Sequence, residues 1–342
     1  MNCKLQLVYV LVSSEKDIYL EQAYVSMYSA KYHMPDVTVT LVVDELTNAS
    51  FVGKRKEEAK YADNIVVVKI PGDLNAQKRS RVLKTSVREH VKGDFLFIDT
   101  DTIVAKPLYE IMETDADIAA CHDTHCPVLK ENPFYEKIVN RGKTLEWPIE
   151  KEEHYINTGV IFVRDSELAH KFYKVWNETL MEGWKKGVNM DQPSFAKTNY
   201  LLGHVVKYLG DVWNCELKYG IRWLKDAKIV HYLCSNKSMN EYRQFFIMND
   251  QSILLQIKAT DEIPNDVVET VKDPFYGIAP VSHCFAGEDI YFLMTPLYDF
   301  IRGEYGKKSF DVMTKILFKY QSARCKWNKI KRWILHEKRQ GM

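Results

Sequence analysis

The sequence predicts an α/β protein with a mixed, mostly parallel sheet flanked by helices and followed by a helical C-terminal extension. In the first hundred residues, β-prone runs alternate with segments whose apolar residues recur at helical spacing. That rhythm is typical of right-handed βαβ crossovers. The apolar run at residues 95–98 ends abruptly at Asp99 and Asp101, as a strand that leads into a binding site does. From about residue 240 onward the pattern is almost wholly helical.

The elements of the first hundred residues follow one another in a regular order. Residues 5–12 are an apolar run and predict the first strand. The further predictions are a helix over 18–32, a strand over 37–43, a helix over 53–61, a strand over 65–70, a helix over 79–90 and a strand over 94–98.

The next part of the chain is less regular. Residues 122–153 are polar and contain three prolines, and they predict a long loop region of the kind that often carries function. The other predictions are a strand over 117–121, a strand over 155–163 interrupted at Asn157-Thr158-Gly159, a helix over 166–183 capped by Ser166, a helix over 191–200, and short strands over 204–209 and 229–233.

Composition describes an ordinary globular protein. The 342 residues are 46% hydrophobic and 27% charged, and the formal net charge of +1 indicates no particular partner. The seven cysteines form no Cys-x-x-Cys pair, which favours reduced thiols and a cytoplasmic location. The first residues enter a strand almost at once, so we expect no signal peptide, and no apolar run is long enough to predict a transmembrane helix.

Asp99-Thr100-Asp101 is the most informative motif. Two carboxylates this close repel each other, so a cation is expected between them. A hard divalent ion, Mg²⁺ or Mn²⁺, with a phosphate among its ligands suits such a pair. Aspartate is also a common turn residue, so the motif alone does not decide. The first strand is not followed by Gly-x-Gly-x-x-Gly, and residues 303–309 lack the spacing of a P-loop.

Further motifs follow in a fixed order. They are Asn157-Thr158-Gly159-Val160, Asp191-Gln192, Trp213-Asn214 and the segment from His231 to Lys237. Together with Asp99-Thr100-Asp101, this set resembles glycosyltransferase family 8, a group of GT-A enzymes that includes glycogenin and the bacterial lipooligosaccharide galactosyltransferases. The resemblance covers about residues 4–238. It implies a GT-A fold and metal-dependent, retaining transfer of a hexose from a nucleotide sugar, with a UDP-sugar favoured, to a hydroxyl of a glycan or glycolipid.

The resemblance also implies roles for individual residues in holding the donor. Asp99, Asp101 and His231 correspond to the ligands of Mn²⁺ (or Mg²⁺), and Lys237 corresponds to a lysine that pairs with the diphosphate. Lys84 corresponds to a basic residue facing the donor phosphates or sugar. Cys234 stands where the family usually has glycine, which leaves the geometry of that loop open.

Other residues correspond to the base and sugar sites. Val12 and Ser13 would meet the base and ribose, and Tyr19 would stack on uracil unless it belongs to the core. The residues expected to orient the sugar or to lie beside its reacting carbon are Asp123, Asn157, Asp191 and Gln192. Asp191 is also a candidate helix N-cap. Thr158 stands where serine is more usual, and Pro193 follows Gln192.

The expected domain organisation follows from this coverage. Residues 1–238 are predicted to be the catalytic domain, with a nucleotide-binding half of about 1–104 and a sugar and acceptor half of about 105–238. Residues 239–342 are predicted to be a helical region. Its last segment, 314–339, mixes Lys and Arg with Ile, Leu and Trp. Such a helix suits the anionic inner face of a membrane, or packs its apolar face on the domain, and the sequence leaves both open. Nucleic acid is not expected, because no aromatic-basic sheet motif is present.

Two alternative functions stay open. One is an inverting GT-A transferase or a nucleotidyltransferase, against which the segment from His231 to Lys237 argues. The other is a catalytically silent protein that binds nucleotide sugars or serves as a scaffold, which Cys234, Thr158 and Pro193 keep open. The sugar, the acceptor, the linkage, the source organism and the oligomeric state are not determined by the sequence.

Overall fold

The computed structural model describes residues 5–233, 247–276, 291–305 and 307–340. The chain divides into two compact units, Met1–Ala279 and Pro280–Met342. The predicted domain boundary at residue 238 stays a prediction.

Ten strands within the described residues form two sheets. In chain order they are β1 (Gln6–Leu11), β2 (Thr38–Asp44), β3 (Asn64–Val68), β4 (Phe95–Ile98), β5 (Thr102–Val104), β6 (Ile118–His122), β7 (Ile156–Val163), β8 (Lys207–Leu209), β9 (Cys215–Glu216) and β10 (Ile229–His231). The larger sheet has seven strands in the order β3-β2-β1-β4-β7-β6-β8. Neighbouring strands of this sheet are parallel, except that β7 runs antiparallel to both β4 and β6. The predicted mixed, mostly parallel sheet is therefore confirmed.

The first unit also contains nine α-helices among its described residues. They are α1 (Tyr19–His33), α2 (Glu45–Ala49), α3 (Lys54–Glu58), α4 (Ala76–His90), α5 (Tyr135–Thr144), α6 (Glu167–Lys185), α7 (Asp191–Leu201), α8 (Gln251–Thr260) and α9 (Asn265–Lys272). The predicted cap of α6 is present, because Ser166 Oγ accepts the backbone N–H of Ala169 at 3.2 Å.

The side chains of β1 alternate between two apolar cores, one on each face of the sheet. Leu7, Tyr9 and Leu11 belong to the core that includes Leu20 and Met27 of α1. Val8 and Val10 lie in a second core with residues of α4 and α6. Because side chains alternate across a strand and both faces are covered by helices, β1 reads as a continuous apolar run.

Three expectations about local structure are wrong. The 122–153 region contains α5, because its prolines lie outside the helix and Ile138 and Val139 pack against Trp147 in a small core. Asn157-Thr158-Gly159 does not interrupt β7, since the whole strand is buried and continuous. The N-cap of α7 is Met190, and Asp191 is the first residue of the helix.

The helix predicted over 53–61 is shorter than expected. It is present only as α3, and α2 precedes it with Asp44 as its N-cap, whose side chain accepts from the Thr47 N–H.

The smaller sheet has the order β5-β10-β9 and is covered by α8 and α9. Leu254 and Ile257 are fully buried in this core, as expected for the apolar face of an amphipathic helix.

The second unit contains α10 (Pro296–Glu304) and α11 (Lys308–Gln340). α11 includes the predicted basic segment and has large apolar side chains exposed, among them Ile316, Phe318 and Trp327. None of the helices in the described part of the chain combines the length and the apolar character needed to cross a membrane.

Glu58 on α3 should make stability depend on pH. It is 1% exposed, and neither of its carboxylate oxygens has a hydrogen-bond partner among the described residues. Burial, with the nearby carboxyl of Glu21, raises the pKa of Glu58 from 4.5 to about 7. The folded chain therefore holds this proton more tightly than the unfolded chain does. The resulting stabilisation is complete below about pH 4.5 and is lost as the pH rises through about 7.

We therefore expect Glu58→Gln to raise the free energy of unfolding relative to the wild type by roughly 1–3 kcal/mol at about pH 8, with little gain at about pH 4.5. Denaturant unfolding at the two pH values measures the difference. Glu57→Gln, at an exposed neighbour on the same helix, is the matched control and should show no such trend. Equal pH dependence in Glu58→Gln and the wild type would contradict the assignment.

Candidate functional site

A cavity of about 550 Å³ lies at the carboxyl ends of β1 and β4. β1 has β2 on one side and β4 on the other, so the strand order reverses between them, which is where open α/β sheets bind ligands. The lining residues include Val12, Tyr19, Arg81, Lys84, Asp99, Asp101 and Asp191.

The smaller sheet brings His231 to the aspartate pair. β5 starts directly after the Asp99-Thr100-Asp101 turn and pairs antiparallel with β10, so Thr102 lies opposite His231. The N–H of Tyr232 donates to the backbone oxygen of Asp101 at 3.0 Å. His231 Nε2 consequently lies 3.3 Å from Asp101 Oδ1. One ligand atom each from Asp99, Asp101 and His231 lies within 4.8 Å of the others, so the three can hold a metal ion.

Hydrogen bonds orient His231 for such a role. Its Nδ1 lies 2.9 Å from Asn214 Oδ1, and Asn214 Nδ2 donates to Asn157 Oδ1 at 3.1 Å. Since the Asn214 amide uses its nitrogen towards Asn157, its oxygen is the acceptor for a proton on His231 Nδ1. This tautomer leaves Nε2, the nitrogen beside Asp101, with a lone pair for a metal. Two carboxylates and one imidazole suit Mn²⁺, and Mg²⁺ less well.

Gly159 makes room for this imidazole. A Cβ at residue 159 would lie 2.3 Å from His231 Cε1 and 2.7 Å from its Nδ1. The glycine is therefore needed for the close approach of β7 to the ring. Its N–H also donates to Asn157 Oδ1 at 2.8 Å, and its backbone oxygen accepts the N–H of Asp99 at 2.8 Å.

Two cations on α4 balance the acidic groups. Lys84 is nearly buried, and its Nζ lies 2.9 Å from Asp99 Oδ1 and 3.3 Å from Asp191 Oδ2. Arg81 Nε lies 3.4 Å from Asp191 Oδ1. They share a face of the helix, as the spacing predicts.

The balance of burial and charge differs between these groups. Burial raises the pKa of Asp99, and Asp101 adds to the rise while Lys84 opposes it. Burial also acts to raise the pKa of Asp191, but Lys84 and Arg81 outweigh it and the net shift is downward. Burial acts to lower the pKa of Lys84, yet Asp99 and Asp191 raise it overall, so the ammonium stays charged.

A second cavity, of about 320 Å³, adjoins the residues expected to bind the sugar. Asp123, Asn157 and Gln192 all line it. Asp123 Oδ1 accepts from Gln192 Nε2 at 2.9 Å and from Asn157 Nδ2 at 3.3 Å, and its Oδ2 accepts from Asn132 Nδ2 at 3.0 Å. A continuous polar network therefore runs from Asp101 through His231, Asn214, Asn157 and Asp123 to Gln192.

The structure places the remaining candidates as follows. Tyr19 and Val12 line the first cavity. Ser13 is buried beside that wall, where its Oγ donates to Asp17 Oδ1 at 2.6 Å and accepts from Arg55 Nη2 at 3.1 Å, and it does not line the cavity. Lys237 and Cys234 lie outside the described residues. The individual roles of all these residues stay predictions.

Sequence reasoning missed several residues of the site. Asn214 was noticed only as part of a motif, and its role in holding His231 depends on contacts between distant strands. Glu216, on the two-residue strand β9, is fully buried, and burial raises its pKa well above the usual range. Arg141 lies on α5, which was predicted to be loop. No local sequence pattern indicates that Glu216 or Arg141 belongs to the site.

Comparison with protein families identifies the kind of protein. Residues 90–262, half of the chain, match the family described as nucleotide-diphospho-sugar transferase. The chain belongs to this family. A nucleotide-diphospho-sugar transferase is a glycosyltransferase, so the predicted enzyme class is confirmed. No curated protein matches the sequence.

Solved structures of LgtC share the fold of this transferase. An active-site mutant of LgtC gives a TM-score of 0.52 at 16% identity, over 78% of this chain and 99% of LgtC. The galactosyltransferase LgtC in complex with donor and acceptor sugar analogues gives 0.50 at 14% identity, over 77% and 99%. The glycosyltransferase GlyE of Streptococcus pneumoniae gives 0.47 at 16% identity, over 80% and 65%. The likeness to LgtC confirms the predicted GT-A fold.

Replacing Gly159 should disturb the candidate metal site. We expect Gly159→Ala to weaken Mn²⁺ binding about 10- to 100-fold, because the added methyl displaces His231 from Asp101 and Asn214. Calorimetric titration of the folded variant with Mn²⁺ measures the change. Gly210→Ala is the control, since its φ is −66° and a Cβ there meets no atom within 4 Å. Equal affinity in the two variants would show that the position of His231 does not matter for the ion.

Proposed function

We propose that this nucleotide-diphospho-sugar transferase is a metal-dependent, retaining hexosyltransferase. It moves a hexose from a nucleotide sugar, with a UDP-sugar favoured, to a hydroxyl of a glycan or glycolipid. The observation that supports this most is the polar network from Asp101 to Gln192. It joins a cluster suited to a divalent ion and diphosphate to a second cavity suited to a sugar and its acceptor.

Asp99, Asp101 and His231 would hold Mn²⁺ (or Mg²⁺). When bound, the ion neutralises negative charge on the departing diphosphate. Lys84 supplies fixed positive charge at the same place, because it stays protonated between Asp99 and Asp191. Lys237 is expected to add a further charge there.

The donor would be oriented at both ends. Tyr19 and Val12 offer an aromatic face and a strand end to the base. Asp123 is held by three amides, so its carboxylate is fixed in place for hydroxyls of the hexose. Asn157 and Asp191 complete the group expected to orient the sugar.

Retention is what the resemblance to glycosyltransferase family 8 implies, and it agrees with the hydrogen bonding of Gln192. Its nitrogen is tied to Asp123, and its Oε1 accepts no hydrogen bond from the described residues. An amide oxygen is a poor nucleophile but can stabilise positive charge on the reacting carbon. We therefore favour same-face attack by the acceptor on a short-lived oxocarbenium ion, with Gln192 or Asp191 stabilising it. The anomeric coupling constant of the product tests this, and an inverted product or a sugar adduct trapped on a side chain would overturn it.

Two departures from the family pattern fit an active site. Thr158 keeps a hydroxyl, which donates to Asp191 Oδ2 at 3.0 Å. Pro193 lies in the first turn of α7, where a proline does not remove an intrahelical hydrogen bond. Neither residue therefore favours a silent binding protein.

Loss of one carboxylate charge should abolish donor turnover. With Mn²⁺ and a panel of UDP- and GDP-sugars, we expect the wild type to release free nucleotide slowly from one donor without an acceptor. Asp101→Asn should lower that rate at least about a hundredfold, because a bound metal contributes several kcal/mol to leaving-group departure. Asp115→Asn, an exposed residue that lines neither cavity, is the control. Metal-independent release, or equal rates in Asp101→Asn and the control, would refute metal dependence.

Peripheral membrane contact is proposed for α11. Lys315, Lys319, Arg324 and Lys326 share this helix with the exposed side chains of Ile316, Phe318 and Trp327. Basic and apolar groups on one helix suit an anionic lipid surface.

The full chain should therefore sediment with phosphatidylglycerol vesicles and not with phosphatidylcholine vesicles. Changing the four basic residues to glutamine should release it, whereas changing Lys54, Lys56, Lys143 and Lys151 to glutamine should not. Equal sedimentation with the two lipids would contradict the proposal. No nucleic-acid partner is proposed.

A further inference from the structure

The second cavity has a feature that donor binding does not use. Beyond Asp123, Asn157 and Gln192, its lining includes Lys137 and Arg141 of α5 and Lys218, which follows β9 by two residues. Three cations thus line one cavity of about 320 Å³. Lys84, Asp99 and Asp101, which are expected to lie beside the donor diphosphate, line the other cavity, so the cations of the second cavity are not needed for the donor phosphates.

Arg141 is the most informative of the three. It is half-buried, and within the described residues its guanidinium makes no hydrogen bond and no ion pair. Because Arg141 lines the cavity and no described acceptor satisfies its guanidinium, an anionic ligand in the cavity can accept its hydrogen bonds. The planar, forked set of donors on the guanidinium matches carboxylate and phosphate oxygens. Lys137 lies 5.5 Å from the ring centre of Phe134 and is paired with no carboxylate of the described chain.

The carboxylates of the cavity do not neutralise Lys137 or Arg141. Asp123 is held by the amides of Asn132, Asn157 and Gln192. Glu216 is fully buried, and its two carboxyl oxygens lie 3.2 Å from the Thr124 N–H. Neither lies within ion-pair distance of Lys137 or Arg141. The cavity therefore offers the charges of Lys137 and Arg141 to an incoming anionic group.

The rest of the wall suits a saccharide. The rings of Phe134 and Tyr219 meet edge to face at 5.6 Å, and Tyr155 lies in the same wall. Aromatic faces pack against the C–H faces of sugar rings. Gln192 also lines this cavity, and the neighbouring Asp191 lines the first, so α7 begins where the two cavities adjoin.

We infer that the second cavity takes the acceptor and that the acceptor is an anionic saccharide, whose carboxylate or phosphate group is bound by Arg141 with Lys137 and Lys218. This inference rests on the proposed function, because it needs the reacting carbon of the donor beside Gln192. It adds to that function the chemical class of the acceptor.

Three methyl glycosides that differ only at carbon 6 test the inference. They are methyl β-glucoside, methyl β-glucuronide and methyl β-glucoside 6-phosphate, which carry a hydroxyl, a carboxylate and a phosphate. Binding to the full chain is measured by calorimetry with saturating UDP and Mn²⁺, so that the first cavity is filled and cannot take the phosphate. At least one anionic glycoside should bind about tenfold or more tightly than the neutral one, and comparison of the two separates a carboxylate from a phosphate acceptor.

Variants of residues on α5 test which side chains cause the preference for an anionic glycoside. Arg141→Gln should remove this preference, and Arg141→Lys should keep part of it. Lys137→Gln should reduce the preference. Lys143→Gln is the matched control, because it removes one exposed charge from the same helix outside both cavities and should leave the preference unchanged. Equal binding of the three glycosides, no binding by either anionic one, or a preference kept in both Arg141→Gln and Lys137→Gln would overturn the inference.

Nucleotide release by the wild type, measured without any acceptor, separates this inference from the proposed function. If the wild type releases nucleotide but shows no preference for an anionic glycoside, the proposed transferase activity is supported and only the acceptor class is refuted. Failure of release from every donor would count against the proposed function itself, whatever the glycosides do.

Discussion

Two carboxylates in a partly buried site are the constraint on which the rest of this structure depends. Asp99 and Asp101 repel each other, and burial disfavours their charges further, as the raised pKa of Asp99 shows. Lys84 from α4 lies 2.9 Å from Asp99 Oδ1, and His231 from β10 lies 3.3 Å from Asp101 Oδ1. Each comes from a different layer of the protein. The acidic turn therefore requires the large sheet, its covering helix and the small sheet to be in place together.

One reversed strand explains how the two cavities are connected. In a parallel sheet the ligand edge is formed by strand ends, but β7 runs antiparallel to β4 and pairs Val160 with Ile98. It therefore brings its beginning to that edge. Asn157 and Gly159 arrive beside Asp99 and His231 for this reason. Asn157 then carries the polar network on to Asp123, so the same strand sets the geometry at the candidate metal cluster and at the second cavity.

The parts of this arrangement that were predictable are those that local sequence determines. A buried strand that stops at Asp99 places that residue at a ligand edge, and the ordered motifs led to His231 and Gln192. Arg141 could not be predicted, because the prolines around α5 mimic a loop and the helix is stabilised by Trp147 and Ile149 from beyond its end. The role of Asn214 could not be predicted either. It depends on pairing between β9 and β10, strands of two and three residues that have no periodicity of their own.

The two cavities also differ in whether the charge of one side chain can change without disturbing the ion pairs around it. The first is built from the ends of central strands and from charges that compensate one another. Replacing Lys84 would remove the lysine beside Asp99 and leave Asp191 with Arg81 as its remaining cation. The second takes its cations from α5 and from the turn after β9, outside that balanced set. A change of charge at Lys137 or Lys218 therefore leaves the compensation of Asp99, Asp101 and Asp191 intact. Under the proposals made above, the charge of the acceptor cavity can therefore change while the charges beside the donor diphosphate stay the same.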